Sequence, residues 1–308
     1  MERSRRPSGT GRSRSVTRQG IGTIQALFLI PAAVILLTFI ALPLGRSVQL
    51  SLFDVNLLRP SGGTFVGLGN YGELLGDKDF WRSFRITVIY TVATVACAYV
   101  FGMVTALLLN RKFRFRWLAR ILIIIPWAIP EVVAVMIFKW IFDAQFGIVN
   151  HLLMQLHIIA KPIAFLSDPD YAFLIVIGVT TWLEYPLATL ILLAGLQTIP
   201  TEVVESASID GAGSIRRFMH ITFPMLRFVN VVVFVLLTLD TFRRTTLIYT
   251  MTGGGPAGAT MTLPVWTYVE AFGNYSLGYA STIGIAIMAI LGVGTVFYLV
   301  RVNRGGDA

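Results

Sequence analysis

The sequence carries few side chains that could perform covalent or metal chemistry. The 308 residues include one cysteine, Cys97, and three histidines, and they contain neither a G-x-x-x-x-G-K-[ST] nucleotide loop nor an H-E-x-x-H zinc motif. His151 and His157 lie six residues apart in a loop, and no Cys/His cluster accompanies them. We therefore predict no catalytic residue, no metal site and no cofactor bound by this chain.

The chemistry of interest lies instead in charged residues within or beside apolar segments. Glu184 stands between Trp182 and Tyr185 in one segment, and Asp240 and Arg244 lie four residues apart at the end of another. An ionisable group inside a membrane is costly and normally faces a cavity or a partner. Aromatic faces beside hydrogen-bonding groups suit a sugar, which has apolar C–H faces and hydroxyl edges.

Several pairings of these charges are open from sequence alone. Glu184 faces a wet cavity or pairs with Arg243 or Arg244, and Asp240 pairs with Arg244 on one helix face. Arg244 either lines this pathway or extends along the helix to the membrane boundary. Glu131 and Lys139, at the ends of a further apolar segment, are interpreted as a structural pair with neighbouring helices.

The composition places these residues in a membrane protein. Hydrophobic residues make up 55% of the chain and charged residues 13%, with a mean hydropathy of +0.73. A spanning helix needs about 20 apolar residues. Six segments qualify, approximately Ile24–Leu44, Ile86–Leu109, Ile121–Ile141, Ala172–Leu196, Leu226–Tyr249 and Leu277–Val300. Pro126 and Pro130 predict a bend in the third.

Clusters of arginine and lysine set the orientation. Six arginines precede the first span, and five basic residues follow the second. Because basic loops remain on the cytoplasmic side, both termini are predicted to be cytoplasmic. Residues 1–22 are too polar to form a core and are predicted to be a disordered basic tail, followed by a permeation domain at 23–303 and a short tail at 304–308.

The cytoplasmic segment 200–224, between the fourth and fifth spans, is patterned rather than a simple polar turn. Pro200 suits the first turn of a helix, and Asp210-Gly211 is expected to break that helix. Ser214 is expected to cap a second short helix that Pro224 ends. One face of this second helix carries Ile215, Phe218, Met219 and Thr222. The alternative is an interfacial helix resting on lipid.

The spacing within this segment resembles the EAA motif of ABC importer permeases, E-A-A-x3-G-x9-I-x-L-P. Glu205-Ser206-Ala207 is followed after three residues by Gly211, and after nine more by Ile221-Thr222-Phe223-Pro224. Ser206 and Phe223 are mild departures. The stretches Trp182–Pro186 and Thr252–Pro256 are similar to the carbohydrate branch, the maltose-type permeases.

The resemblance implies roles for two sets of residues. The first would form the coupling helix, which docks on a separate ATPase: Glu205, Ser206, Ala207, Asp210, Gly211, Ala212, Phe218, Ile221 and Pro224. The second would line the substrate pathway: Trp182, Leu183, Glu184, Tyr185, Leu187, Asp240, Thr241, Arg243 and Arg244. Glu184 departs from one maltose-type example, which has glycine at that position.

The implied fold is all-α, a six-helix polytopic type I importer permease in the bacterial inner membrane. Its partners would be membrane lipid, a second permease, two ATPase copies that hold ATP and Mg, and an extracytoplasmic solute-binding protein, with no nucleic acid. Its substrate would be an oligosaccharide, a polyol or an anionic sugar such as a phosphate or sulfonate. The alternative is an ion-gradient-driven secondary transporter, which would use Glu184 and Asp240 but has no need of the segment 200–224.

Overall fold

The fold comes from a computed structural model that describes residues 23–59 and 63–304. The helices of its first half are α1 (Thr23–Leu36), α2 (Leu42–Ser51), α3 (Gly69–Gly76), α4 (Lys78–Asn110), α5 (Arg116–Ala128), α6 (Glu131–Ile141) and α7 (Ile148–Gln155). Those of its second half are α8 (Pro169–Leu196), α9 (Thr201–Ile209), α10 (Ser214–Arg217), α11 (Phe223–Met225), α12 (Arg227–Phe242), α13 (Thr246–Thr252), α14 (Leu263–Tyr268) and α15 (Leu277–Arg304).

Other regular structure in the described residues is short. π-Helical turns lie at Leu37–Ala41, Phe218–Thr222 and Val269–Gly273, and a 3-10 turn lies at Phe165–Ser167. Strand β1 (Phe53–Asp54) pairs antiparallel with β2 (Thr64–Phe65). The all-α prediction is confirmed.

The chain divides into two compact units, residues 1–46 and 47–308. The predicted basic tail at 1–22 and residues 305–308 lie outside the described residues, so the predicted boundaries of the permeation domain stay predictions. Helix α1 runs through a π-helical turn into α2, and the predicted first span, Ile24–Leu44, lies within this helical stretch.

Six spans are present if each of two bent helix pairs counts as one. Among the described residues, four helices are long and apolar enough to cross a membrane: Phe28–Ser51, Lys78–Asn110, Pro169–Leu196 and Leu277–Val296. The pair α5 and α6 bends by 94°, and the stretch Ser214–Met225 bends by 74° against α12. The first bend falls at Ile129 and Pro130, as the two prolines of this span predict, because proline cannot continue the hydrogen-bond ladder.

The predicted fifth span differs from the structure. The stretch Leu226–Tyr249 is not one helix, because α12 ends at Phe242 and α13 begins only at Thr246. The three residues between them leave the helical path, and Arg244 turns from there towards acidic side chains on other helices.

Helices α4 and α8 form the centre of the larger unit. A methyl group at Gly102 would lie 2.6 Å from the Cβ of Ala188, so the two backbones approach closely. Further along the same contact, the hydroxyls of Tyr90 and Thr180 lie 2.9 Å apart. Helix α12 packs on both, with the side chain of Val229 against Gly195 of α8. This packing buries one face of α8 among its neighbours, and Glu184 lies on that face.

Candidate functional site

One largely buried arginine contacts three carboxylates from three helices. The guanidinium of Arg244 lies 3.2 Å from Glu131 Oε2 on α6, 3.1 Å from Glu184 Oε1 on α8 and 2.5 Å from Asp240 Oδ2 on α12. Only 12% of the Arg244 side chain and 2% of the Glu184 side chain are exposed. We call these four residues the Arg244 cluster.

Local structure explains how the Arg244 cluster forms. Helix α8 continues through Pro186, so Glu184 is held on a rigid helix between α4 and α12. The Thr241 hydroxyl donates a hydrogen bond of 2.6 Å to Glu184 Oε2. Arg244 lies just beyond the end of α12, where its side chain turns inward. The pairing of Asp240 with Arg244 that the sequence predicts is therefore present, and the alternative in which Arg244 extends to the membrane boundary does not describe this structure.

The Arg244 cluster carries more negative than positive charge. Arg243 approaches the other Asp240 oxygen at 2.9 Å, but 76% of its side chain is exposed. Two arginines thus face three carboxylates.

Some polar atoms of the Arg244 cluster remain unused. Within the described residues, Glu131 Oε1, Glu184 Oε1 and Arg244 Nε are buried without a hydrogen bond. Glu184 Oε1 is close enough to Arg244 to attract its charge, but the geometry is not that of a hydrogen bond. Burying such atoms without a partner is costly, so these three atoms are sites where the cluster is incompletely satisfied.

The aromatic residues predicted beside Glu184 lie in separate hydrophobic clusters. Trp182 packs edge-on against Phe138, with ring centroids 5.2 Å apart, and Leu183 is buried in the same cluster. Tyr185 packs against a different cluster, and Leu187 is half-buried. The structure thus brings Glu184, Asp240, Thr241 and Arg244 together but places the two aromatic rings in different hydrophobic clusters.

From the sequence, Glu131 is predicted to form structural pairs and not to belong to this site. Glu131 begins α6 immediately after Pro130, and the bend there directs it to Arg244. Lys139, its proposed companion, donates instead to the backbone carbonyl of Thr250 at 3.3 Å. The available signal was an acidic residue following a proline inside an apolar segment, but nothing in the sequence identifies its partner.

The segment 200–224 forms the predicted helix, turn and second helix. Helix α9 ends in a Schellman motif: the Ala212 N–H donates to the Ala207 carbonyl at 3.0 Å, and the Gly211 N–H donates to the Ser208 carbonyl at 3.2 Å. Gly211 has φ +78°, and a Cβ there would meet no atom within 4 Å. Glycine is therefore needed for backbone conformation and not for space within this chain.

Two details of the second helix differ from the prediction. Gly213 and not Ser214 is the capping residue, and Ser214 is the first helical residue without a side-chain capping bond. Pro224 does not end the helix: it lies within the continuous helical stretch Ser214–Met225, just after the π-helical turn Phe218–Thr222, and the chain breaks at Leu226. The π-helical turn departs from the regular i→i−4 hydrogen-bond ladder, which the missing N–H of proline would also interrupt.

The apolar face of the segment is divided between inside and outside. Ile209 and Ile215 have 87% and 81% of their surface exposed, and Met219 is also exposed. Phe218 packs against the hydrophobic core at the ends of α8 and α12, and Ile221 is half-buried. Of the predicted coupling residues, Glu205, Ser206, Asp210, Gly211 and Pro224 are exposed, Ala207 is buried, and Ala212 is half-buried. The exposed tip of the segment, Ile209 and Ile215, requires a protein partner or lipid. At the base of the segment, Phe218 packs against the rest of this chain.

Side-chain hydrogen bonds connect the parts of the segment. The guanidinium of Arg217 donates to the Ser208 hydroxyl, and thereby joins the second helix to α9. At the other end, Asn230 on α12 receives a hydrogen bond of 2.9 Å from the Tyr99 hydroxyl, and its amide donates to the Phe223 carbonyl. We call Thr201–Met225 the coupling knob.

The sequence matches a known family over most of its length. Residues 98–304 match the family described as "Binding-protein-dependent transport system inner membrane component". The chain belongs to this family. Membership supports an importer subunit over the ion-gradient-driven secondary transporter.

Relatives of this permease cover nearly its whole length. The sulfoquinovosyl glycerol transport system permease of Agrobacterium fabrum is 36% identical, covering 92% of this chain and 91% of the relative. The trehalose/maltose transport system permease of Thermococcus litoralis is 35% identical, covering 90% and 92%. The diacetylchitobiose uptake system permease of Streptomyces coelicolor is 34% identical, covering 94% and 90%.

A solved structure supports the fold of this permease. A chain from the crystal structure of a bacterial ABC transporter that imports the acidic polysaccharide alginate aligns with a TM-score of 0.79 at 18% identity, covering 91% of this chain and 95% of that chain. The type I importer permease fold that the sequence predicts is thereby confirmed.

Proposed function

We propose that this chain is a non-catalytic permease subunit of an ATP-driven importer for a sugar or sugar derivative. The observation that carries the proposal is the coupling knob, a Schellman-capped turn with exposed isoleucines between two helices of the Arg244 cluster. The relatives named for sulfoquinovosyl glycerol, trehalose or maltose, and diacetylchitobiose support a saccharide as the transported molecule.

The proposed assembly contains a second permease, two ATPase copies and an extracytoplasmic binding protein. ATP and Mg would be held by the ATPase subunits, because this sequence has no nucleotide-binding loop. The exposed tip of the coupling knob, around Ile209 and Ile215, would dock on one ATPase, and Phe218 and Ile221 would fix its root to the permease.

The connections of the coupling knob suggest how the two regions communicate. Four residues separate α8, which carries Glu184, from α9, and one residue separates Met225 from α12, which carries Asp240 and Thr241. A displacement of the knob therefore acts on both helices whose side chains meet at Arg244. Since the knob is internally bonded, it would transmit a tilt and not absorb it.

In this mechanism the Arg244 cluster is part of the substrate pathway. When α8 and α12 move relative to α6, the contacts of Arg244 to the three carboxylates cannot all persist. Hydroxyl groups of the passing sugar would then take the place of lost contacts, with Glu184 and Asp240 as acceptors and Arg244 as donor. The residues that would flank this pathway are Trp182, Leu183, Tyr185, Leu187 and Arg243.

The energy source is tested in proteoliposomes that contain the whole complex and saturating loaded binding protein. We expect sugar uptake that requires internal ATP, is blocked by vanadate and continues when ionophores remove ion gradients. Uptake that depends on a gradient and resists vanadate would exclude the importer and support the secondary transporter.

In the proposed orientation, the protein lies in the bacterial inner membrane with both termini in the cytoplasm. In a Cys97→Ala background, Ser214→Cys should react with an impermeant thiol reagent only from the cytoplasmic side. Gln145→Cys, in the opposite loop, should react only from outside. Reaction of Ser214→Cys in intact cells would contradict the orientation.

A further inference from the structure

A pocket outside the Arg244 cluster is lined by residues that begin at Thr245, directly after Arg244 in the sequence. It has a volume of about 540 Å³ and is lined by Thr245, Thr246, Tyr249, Thr250, Pro264, Thr267, Tyr268, Ala271 and Phe272. This volume lies within the range of about 300–1,000 Å³ that small-molecule sites occupy. We call it the aromatic pocket.

The helical spacing of the lining residues shows that one face of each helical element forms the wall of the pocket. On α13, Thr246, Tyr249 and Thr250 are spaced i, i+3, i+4 and face the pocket, while Leu247 and Ile248 between them are fully buried. On α14 and the π-helical turn that follows, the lining residues repeat with the same spacing from Pro264 to Phe272. Each element thus anchors one face in the core and presents the other to the pocket.

The rings of the pocket form a continuous row. The centroids of Tyr249 and Tyr268 are 4.5 Å apart, and those of Tyr268 and Phe272 are 4.9 Å apart, both with tilted planes. Tyr249, Tyr268 and Phe272 are all exposed and not fully packed. A row of partly exposed rings offers apolar faces to a ligand, and each phenol adds a hydroxyl at the edge.

Threonine hydroxyls surround the row of aromatic rings, and the described lining contains no charged side chain. Within the described residues, the Thr246 and Thr250 hydroxyls make no hydrogen bond, so they are open to a ligand, whereas the Thr267 hydroxyl is used by the Leu263 carbonyl. No lysine, arginine, aspartate or glutamate lines the pocket, and the Lys139 amine reaches only the Thr250 carbonyl. Such a surface recognises an uncharged molecule that has both apolar faces and hydroxyl edges.

We propose that the aromatic pocket is a binding subsite for an uncharged pyranose ring, which the sugar occupies beside the Arg244 cluster. The inference rests on the proposed function for the substrate class, but the pocket can be tested separately from transport. The pyranose ring of the sugar would stack on Tyr268 and its aromatic neighbours. The hydroxyl groups of the sugar would form hydrogen bonds with Thr246 and Thr250. Charged groups of a substrate would lie outside this pocket.

The test measures protection of a cysteine in the complete detergent-solubilised complex, without ATP or binding protein. In a Cys97→Ala background, Thr246→Cys is labelled by an impermeant thiol reagent with and without 100 mM maltose, cellobiose or lactose. At least one disaccharide should slow labelling threefold or more, and Gln145→Cys, outside the pocket, should be unaffected. Protection by none of the three overturns the proposal.

A second variant separates stacking from general shielding. Adding Tyr268→Leu to Thr246→Cys should remove the protection, whereas adding Phe146→Leu, an exposed aromatic residue elsewhere, should retain it. Protection that survives Tyr268→Leu would show that the sugar does not stack on Tyr268, and would overturn the proposal. Slower labelling with sugar-free binding protein, but not with disaccharide, would identify the pocket as a protein contact and would also overturn the proposal.

The outcome is distinguishable from failure of the proposed function. ATP-driven uptake without any protection would reject the subsite alone. Protection in a complex that shows no ATP-driven uptake would reject the importer and leave the subsite intact.

Discussion

The Arg244 cluster and the coupling knob solve opposite physical problems. In the Arg244 cluster, carboxylates from three helices meet one arginine, and the side chains of Glu184 and Arg244 are largely shielded from solvent. In the coupling knob, local hydrogen bonds satisfy the backbone, while isoleucine side chains remain exposed. The comparison indicates that the Arg244 cluster stabilises this chain internally, whereas the coupling knob is shaped for a contact made elsewhere.

The largest expected effect comes from removing the centre of the Arg244 cluster. Arg244→Ala should destabilise the assembled complex by about 3–5 kcal/mol, because it leaves three carboxylates without their shared cation. The measurement is the yield and melting temperature of the purified complex. Arg243→Ala is the matched control, and it should cost at most about 1 kcal/mol because Arg243 is mostly exposed. Equal stability of the two variants would contradict the buried cluster.

Removing one acid should affect transport more than assembly. In Glu184→Ala, Arg244 keeps Glu131 and Asp240, so the complex should form. Loss of a charged hydrogen bond of about 1.5–3 kcal/mol should lower sugar uptake roughly ten- to a hundredfold at saturating binding protein. Basal ATPase activity should be retained.

Two outcomes would change the role of Glu184. Near-normal uptake by a well-assembled Glu184→Ala complex would remove it from the pathway. Poor assembly that Arg244→Ala restores would make it part of a structural ion pair. Glu184→Gln, which can still accept the Thr241 hydrogen bond, distinguishes loss of charge from loss of the acceptor.

The coupling knob offers a matched pair of glycines. Gly211 has a positive φ, whereas Gly213 has φ −64°, and neither would bring a Cβ within 4 Å of another atom. Gly211→Ala should therefore strain the turn by about 1–2 kcal/mol and reduce stimulation of the ATPase by loaded binding protein, with Gly213→Ala near normal. Full stimulation in an assembled Gly211→Ala complex would show that the turn conformation does not matter for coupling.

The smallest effect concerns the internal stiffness of the coupling knob. Arg217→Ala removes the bond from the second helix to Ser208, a loss of about 0.5–1.5 kcal/mol. We expect the complex to assemble and the number of sugar molecules transported per ATP hydrolysed to fall. The reason is that the exposed end of the knob could then move without passing its full displacement to α8 and α12. Arg216→Ala on the same short helix is the control, and an equal effect of both would indicate only a charge contribution.

Sequence alone determined the local features of this protein. Glycine at a helix end, proline in apolar segments and the spacing from Glu205 to Pro224 act within a few residues, so the knob and the bend before α6 were predictable. The apolar segments gave six spans because about 20 apolar residues are needed wherever they occur.

Only the tertiary structure decided which distant residues meet. Glu131 joins Arg244 across 113 residues because α5 and α6 bend by 94° and the chain leaves α12 before Arg244. Likewise, Tyr249 and Tyr268 become one surface only when α13 and α14 pack together. Charge and spacing indicate that Arg244 needs a partner, but helix packing selects that partner, because the energy of an ion pair depends on distance and burial and not on position in the chain.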